Sequence, residues 1–257
     1  MGDRADAEYF GKENLAIEKA LRDHEAVALR ELCTLAASAF YPPATDLYEE
    51  GDVPFARCVD CIDYPVITLR QDDRFVRVPK WFIEQCAQID TVTRGDIILT
   101  KVGSPCFASV VEDYDLIALS RTVLGLVKIH DVDPHYLVAF LRGRYGFTQL
   151  LRQRELTIQY QLTLERVRDV LVYRASEKLQ LATRTAMCAY TSKLTEADNR
   201  VRAVEDNLLD AIGFTAWHPP EPLTYTRSAS EVLEVERFDA DYFAPAKFDA
   251  LARLGEG

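Results

Sequence analysis

The sequence predicts an α+β fold: a mixed domain built on a curved sheet, followed by one long helix of coiled-coil type. Three observations carry that expectation. First, the stretch from Ser176 to Ile212 contains no Pro or Gly. Apolar or small residues recur in it at Thr183, Ala186, Tyr190, Leu194, Ala197, Val201, Val204, Leu208 and Ala211. Their spacing alternates between three and four, the seam of a coiled coil. Second, the span 51–175 is filled by short apolar runs separated by turn residues, a pattern for short strands in a strongly curved sheet. Third, a seven-residue motif near the start of the chain recurs near its end.

In chain order, residues 6–30 carry an apolar helical face of Leu15, Ile17, Ala20, Leu21, Ala26 and Leu29. Tyr41-Pro42-Pro43 is a loop and Glu50-Gly51-Asp52 a turn. Strands are expected over 53–59, 66–69, 75–78, 97–100, 107–111, 116–119, 124–129 and 170–173. Short helices are expected over 79–87, with Pro79 in its first turn, and over 134–142, opened by Pro134. Two more are expected over 147–154 and 162–168. Ser176 is placed to cap the long helix and Gly213 to end it. At 1.5 Å per residue that rod is roughly 50–55 Å long, and its apolar stripe needs a partner. Residues 219–230 read as a loop before a final acidic segment.

Composition narrows the function classes. The chain has 257 residues and a net charge of −11. The span 51–175 holds 16 Lys+Arg and 16 Asp+Glu, so the acidic excess lies wholly in the helical flanks. Acidic flanks repel duplex and are expected to face protein. No apolar run is long enough to span a membrane, and the start lacks an apolar targeting segment. The six cysteines are irregularly spaced, which fits a reduced, cytoplasmic protein. Cys58 and Cys61 form a lone C-x-x-C without further ligands at zinc spacing, and they are expected to flank a strand. His24, His130, His135 and His218 are scattered. No nucleophile, base and orienter stand at catalytic spacing, and no Gly-rich phosphate loop is present. No enzyme activity, metal or cofactor is expected on this chain.

The repeat is the most specific feature. Arg4-Ala5-Asp6-Ala7-Glu8-Tyr9-Phe10 recurs as Arg237-Phe238-Asp239-Ala240-Asp241-Tyr242-Phe243, with five of seven positions identical. Both ends are therefore expected to make the same kind of contact, with the aromatic pair as anchor. Further pieces are Leu29-Arg30-Glu31-Leu32-Cys33, Gly51-Asp52-Val53-Pro54-Phe55-Ala56-Arg57-Cys58-Val59-Asp60 and Leu119-Ser120-Arg121. So are Gly95-Asp96-Ile97-Ile98-Leu99-Thr100-Lys101-Val102-Gly103-Ser104-Pro105, Asp133-Pro134-His135-Tyr136-Leu137 and the run from Gln159 to Val172. In this order they resemble one half of a DNA-specificity subunit of type I restriction-modification systems. Cys106 stands where that family usually has Gly. The family has two target recognition domains, and this chain has one.

The resemblance implies four regions: an N-terminal helical anchor (1–28), a target recognition domain (29–175), a long spacer helix (176–213) and a C-terminal loop with the repeated motif (214–257). It implies sequence-specific recognition of double-stranded DNA through loops of the mixed domain. The candidates for DNA contact are Arg57, Arg70, Arg74, Arg77, Lys80, Lys101, Arg121, Arg142, Arg144, Gln149, Arg152 and Arg154, with Gln71, Gln153 and Gln159 as further base readers. It also implies an adenine methyltransferase (modification) subunit as partner, carrying S-adenosylmethionine, and a restriction subunit in larger assemblies. The partner-interface candidates are Tyr9, Phe10, Tyr190, Leu194, Val201, Val204, Leu208, Tyr242 and Phe243. Two chains are expected to pair as a homodimer through antiparallel long helices, giving a bipartite target. Natural half-subunit, truncated gene and expressed fragment are all open. So are two other classes: a scaffold of a phage-defence system that does not read DNA, and a recognition module of the kind fused to a methyltransferase.

Overall fold

The computed structural model describes residues 7, 9–38, 51–154, 160–222 and 224–255. Arg4, Asp6 and Glu8 of the first motif copy, the loop expected at 41–43, Glu50, Gln159 and the Gln71 side chain lie outside the described residues. The chain divides into two compact units, Met1–Ser192 and Lys193–Gly257.

The first unit opens with α1 (Lys12–Asp23), followed by β1 (Val27–Ala28), β2 (Thr34–Ala36) and β3 (Val53–Ala56). Then come α2 (Cys58–Cys61), β4 (Val66–Ile67), β5 (Val76–Val78), α3 (Lys80–Gln85), β6 (Thr91–Val92) and β7 (Ile97–Thr100). The remainder is β8 (Ala108–Val111), β9 (Ile117–Leu119), β10 (Val123–Val127), α4 (Pro134–Arg142), α5 (Arg144–Arg152), α6 (Leu164–Arg168) and β11 (Leu171–Val172). The strands form a five-stranded sheet in the order β2-β10-β7-β8-β4, a four-stranded sheet in the order β5-β3-β9-β6, and the pair β1-β11. β3 with β9 and β4 with β8 are parallel. The sheets are curved and do not close on themselves.

The apolar runs follow from the core on either side of the central strands. Successive side chains of a strand point to opposite faces. On β7, Ile97 and Leu99 join the core beneath α4 and α5, while Ile98 joins the core shared with β9. β10 repeats the pattern, with Leu124 and Leu126 on one side and Val123 on the other. All of these are fully buried, so Ile97-Ile98-Leu99 reads as a continuous run, not an alternating one. Asp133 caps α4, its Oδ1 accepting the N–H groups of His135 at 2.8 Å and Tyr136 at 3.2 Å, with Pro134 at the first helical position. Gly146 lets α5 approach α4: a Cβ there would lie 2.4 Å from the Phe140 carbonyl oxygen and 2.5 Å from Leu141 Cα. Replacing Gly146 with Ala is expected to cost about 1–3 kcal/mol by overpacking, read as a lowered urea midpoint.

Besides shifted ends and short elements that the sequence did not announce, such as β2, β6 and the helix over Ala229–Glu234, two elements stop well short of the sequence expectation. The helix expected over 6–30 is confined to α1, because the chain turns at Glu25 (φ 55°) and Leu29 N–H donates to Val170 O at 2.8 Å beside the β1-β11 pair. The strand expected over 53–59 stops at Ala56. There the Asp60 carboxylate accepts the Arg57 N–H at 2.8 Å and turns the chain into α2.

The long helix α7 (Glu177–Ala211) matches the predicted rod, about 52 Å at 1.5 Å per residue. None of its residues is buried. Gly213 ends it with φ 73°; its N–H donates to Asp210 O, and Phe214 N–H donates to Leu209 O at 2.7 Å. The first half of α7 belongs to the first unit and the rest to the second. The second unit also contains α8 (Ala229–Glu234) and α9 (Pro245–Gly255). Its small core sets Phe214 against Trp217, with ring centroids 5.0 Å apart, and stacks Phe243 on Phe248. The Trp217 indole N–H donates to Asp249. No helix among the described residues is long and apolar enough to cross a membrane.

Candidate nucleic-acid interface

Three segments of the first unit meet at Thr122 and at the turn that it holds. Its carbonyl accepts the N–H groups of Lys101 at 2.8 Å and Val102 at 3.1 Å, from the turn between β7 and β8. Its hydroxyl accepts the Cys58 N–H at 3.1 Å and bonds Ser120 Oγ at 2.7 Å, between β9 and β10. A third segment closes over the first: Gly103 N–H donates to Tyr160 O at 3.3 Å, and Leu162 N–H to Lys101 O at 2.9 Å. The turn itself is held by Thr100, whose hydroxyl donates to Ser104 O at 2.8 Å and accepts the Phe107 N–H at 2.9 Å. Cys106 in this turn has φ 84°. The position takes the left-handed backbone that Gly adopts most easily, at a cost of about 1–2 kcal/mol for a residue with a Cβ. Full burial of the side chain offsets that cost.

Three cations expected from the sequence stand by these segments: Lys101 and Arg121 on the two turns, and Arg154 just past α5, over Tyr160. Burial holds the Lys101 ammonium below the usual lysine range, and the nearby Arg121 charge lowers it further. Arg154 lies 4.3 Å above the ring of Tyr160, an exposed aromatic that the sequence reading did not single out. The cue available in the sequence was an aromatic six residues from an Arg in a turn-rich stretch, which is weak.

The other candidates are placed differently. Arg142 is partly buried; its guanidinium donates to the main-chain oxygens of Ala108, Ile62 and Cys61 and lies 5.5 Å from the Phe107 ring centroid. Gln149 is buried, and its amide bonds both the N–H and the C=O of Leu171 at 2.9 Å. Arg152 donates from Nε to Tyr9 O at 2.7 Å, pairs with Glu18 at 2.7 Å and covers the Tyr9 ring at 3.9 Å. Arg144 pairs with Glu13 at 2.9 Å. Arg152 and Arg144 therefore fasten α1 to α5. Arg57 pairs with Asp60 at 3.0 Å and Arg77 with Asp72, while Lys80 lies 4.0 Å from Glu84. Arg74 covers the Tyr64 ring at 4.9 Å, with Arg70 at 5.8 Å from it. Gln153 offers its carbonyl to Arg166 at 3.3 Å.

Glu18 is held below the usual carboxylate range, first by its hydrogen bond from Arg152 and then by Arg22. A depressed folded-state value contributes stability that is present above about pH 4.5 and lost as pH falls through the lower folded value. Glu18→Gln is therefore expected to cost about 1–2 kcal/mol at neutral pH. The two urea-midpoint curves should converge below pH 4.5.

The aromatic pairs of the two motif copies share one ring geometry. Tyr9 and Phe10 meet edge to face at 5.1 Å, and Tyr242 and Phe243 at 5.0 Å. Tyr9 is half-buried beneath Arg152, and Phe10 is 50 % exposed. In the second copy Arg237 covers Tyr242 at 4.6 Å, and Phe243 is buried. On α7, Tyr190, Val201, Val204 and Leu208 are exposed and Leu194 is half-buried. Cys58 and Cys61 lie on α2, not beside a strand end as expected. Cys61 is wholly buried, Cys58 Sγ donates to Ser104 O at 3.3 Å, and burial pushes both thiols up. Among the described residues no group of three His, Cys, Asp or Glu side chains is placed to hold a metal.

No protein-family model matches the sequence, and no curated protein does. Solved structures do. The type IIG restriction endonuclease BpuSI aligns with a TM-score of 0.52 and 9% identity, over 70% of this chain and 28% of that one. The likeness is one of fold. The type I restriction-modification S subunit from M. genitalium aligns at 0.49 and 9% identity, over 72% of this chain and 43% of that one. The HsdS subunit from Thermoanaerobacter tengcongensis aligns at 0.45 and 14% identity, over 79% and 51%. The chain thus spans between about a quarter and a half of the structures it resembles.

Proposed function

We propose that this chain is a half-specificity subunit: it reads one half of a bipartite duplex and directs a partner adenine methyltransferase there, with a restriction subunit joining in larger assemblies. The observation that carries the reading is the tie of the Lys101–Val102 turn to Thr122, which sets Lys101 near Arg121, with Arg154 over the Tyr160 ring on the segment that closes over that turn. Such loops position a protein on phosphates and reach base edges. The shared fold with a restriction endonuclease and the motif order support the same reading. The chain supplies recognition and no chemistry; S-adenosylmethionine belongs to the methyltransferase.

Two copies pair through antiparallel α7 helices. Residues 176–193 carry three basic and one acidic side chain, and residues 194–212 carry two basic and five acidic. Antiparallel pairing sets a net positive half against a net negative half at both ends, whereas parallel pairing sets the acidic halves together. The exposed stripe of Val201, Val204 and Leu208 is the apolar seam.

Light scattering coupled to gel filtration, alone and with the methyltransferase, tests this. A dimer, or an assembly with two methyltransferase copies, is the expected result. A strict monomer at tens of micromolar in both conditions would sink the pairing. Failure to retain duplex DNA in the assembled complex would favour the scaffold reading, to which the neutral charge of span 51–175 corresponds.

A further inference from the structure

We propose that Asp133 is a positioning residue: it clamps the root of α7 to the recognition domain and so sets the separation of the two half-sites. The inference rests on the function proposed above. Asp133 stands between β10 and α4, and each of its polar groups is used. The carboxylate caps α4 through Oδ1, and Oδ2 lies 3.5 Å from the Arg184 guanidinium on α7. The main-chain N–H donates to Gln180 Oε1 at 2.6 Å, and Gln180 Nε2 donates to Ala175 O at 2.8 Å, just before α7 begins. One residue of the domain therefore holds α7 at positions 180 and 184, which share a helix face.

Neighbouring contacts tie this clamp to the sheet. His135 has its Nε2 2.9 Å from Glu112 Oε2, just after β8, and its Nδ1 3.5 Å from Asp133 Oδ1. The Tyr136 hydroxyl donates to Tyr173 O at 2.7 Å, on the connection from β11 into α7. One turn beyond Arg184, Met187 packs against the core beneath α4. The groups around Asp133 are thus His135 and Glu112 from the sheet side and Arg184 and Gln180 from the helix. The lever is long. A rotation of about 5° at the root moves the far end of a ~52 Å helix by about 4–5 Å, more than the 3.4 Å rise of one base pair.

The test uses the full chain with Asp133→Asn, which keeps the α4 cap because Asn caps as well as Asp, and with Arg184→Ala on a half-exposed side chain. Wild-type half-sites are first selected from randomised duplex. Affinity is then measured on duplexes whose spacers differ by single base pairs. Both variants are expected to keep the half-site sequence while discrimination between the best spacer and its neighbours falls about fivefold. Amide exchange at 180–187 is expected to rise about tenfold in both. Unchanged exchange overturns the clamp. Faster exchange with an unchanged spacer profile overturns its role in half-site separation. A wild-type chain that selects no duplex overturns the proposed function and the spacer role with it, while the exchange result still judges the clamp.

Discussion

Arg142→Met is expected to destabilise the first unit by about 3–4 kcal/mol, read as a large fall in urea midpoint with little change in the second unit. The guanidinium lies partly buried between α4 and β8, and its hydrogen bonds go to oxygens that carry no charge. It is matched by main-chain oxygens of Cys61, Ile62 and Ala108 and by the Ser109 hydroxyl. Burial accordingly holds it below the usual arginine range. Methionine fills similar volume and donates nothing. The loss therefore comes from buried carbonyl groups left without donors, each costing about 1–3 kcal/mol and partly relieved by relaxation. Arg142→Lys is expected to recover little, because one ammonium cannot span three carbonyls set by a planar fork. If Arg142→Met unfolds at the wild-type midpoint, the guanidinium is not a structural tie.

The combined change Lys101→Ala, Arg121→Ala and Arg154→Ala is expected to weaken duplex binding on the order of 100-fold near 0.1 M salt. Lys101 and Arg121 stand on turns tied together by main-chain hydrogen bonds to Thr122, and Arg154 follows α5 over the Tyr160 ring, so truncating the three side chains leaves those main-chain ties in place. The salt dependence is the sharper readout. If all three meet phosphate, the log–log slope should shrink by roughly 0.9 for each, about 2.7 in total. A loss of affinity with an unchanged slope would instead assign them to base edges. Tyr160→Ala, beside Arg154, separates stacking from charge: it should leave the slope alone. An unchanged affinity in the triple variant would remove this face from the candidate interface.

The gap between sequence and structure falls along a physical line. Local pattern was sufficient for α7, where the alternating seam and Gly213 mark the rod and its end within a residue. It was sufficient for α4, where Asp133 and Pro134 together specify the start. It was sufficient for β7, where a short apolar run between turn residues marks a strand buried on both faces. It failed at 53–59, because the stop at Ala56 depends on an Asp60 carboxylate reaching back to Arg57. It failed in the same way at Leu29, held by Val170 from the far end of the domain.

Charge is where the two levels part most clearly. By itself, the sequence determined an α+β chain with a charge-neutral central span, acidic flanks, one long seamed helix and the same aromatic motif near both ends. It also supplied a set of Arg and Lys residues of equal standing, because type and spacing cannot tell a guanidinium at the surface from one in a core. Only the tertiary structure decided among them. Arg142 went to main-chain carbonyls and Arg152 to Tyr9 and Glu18, whereas Lys101 was set near Arg121 and Arg154 over Tyr160. The reason is that a cation's role is set by which acceptors long-range packing brings within 3 Å of it, and those acceptors lie dozens of residues away in the chain.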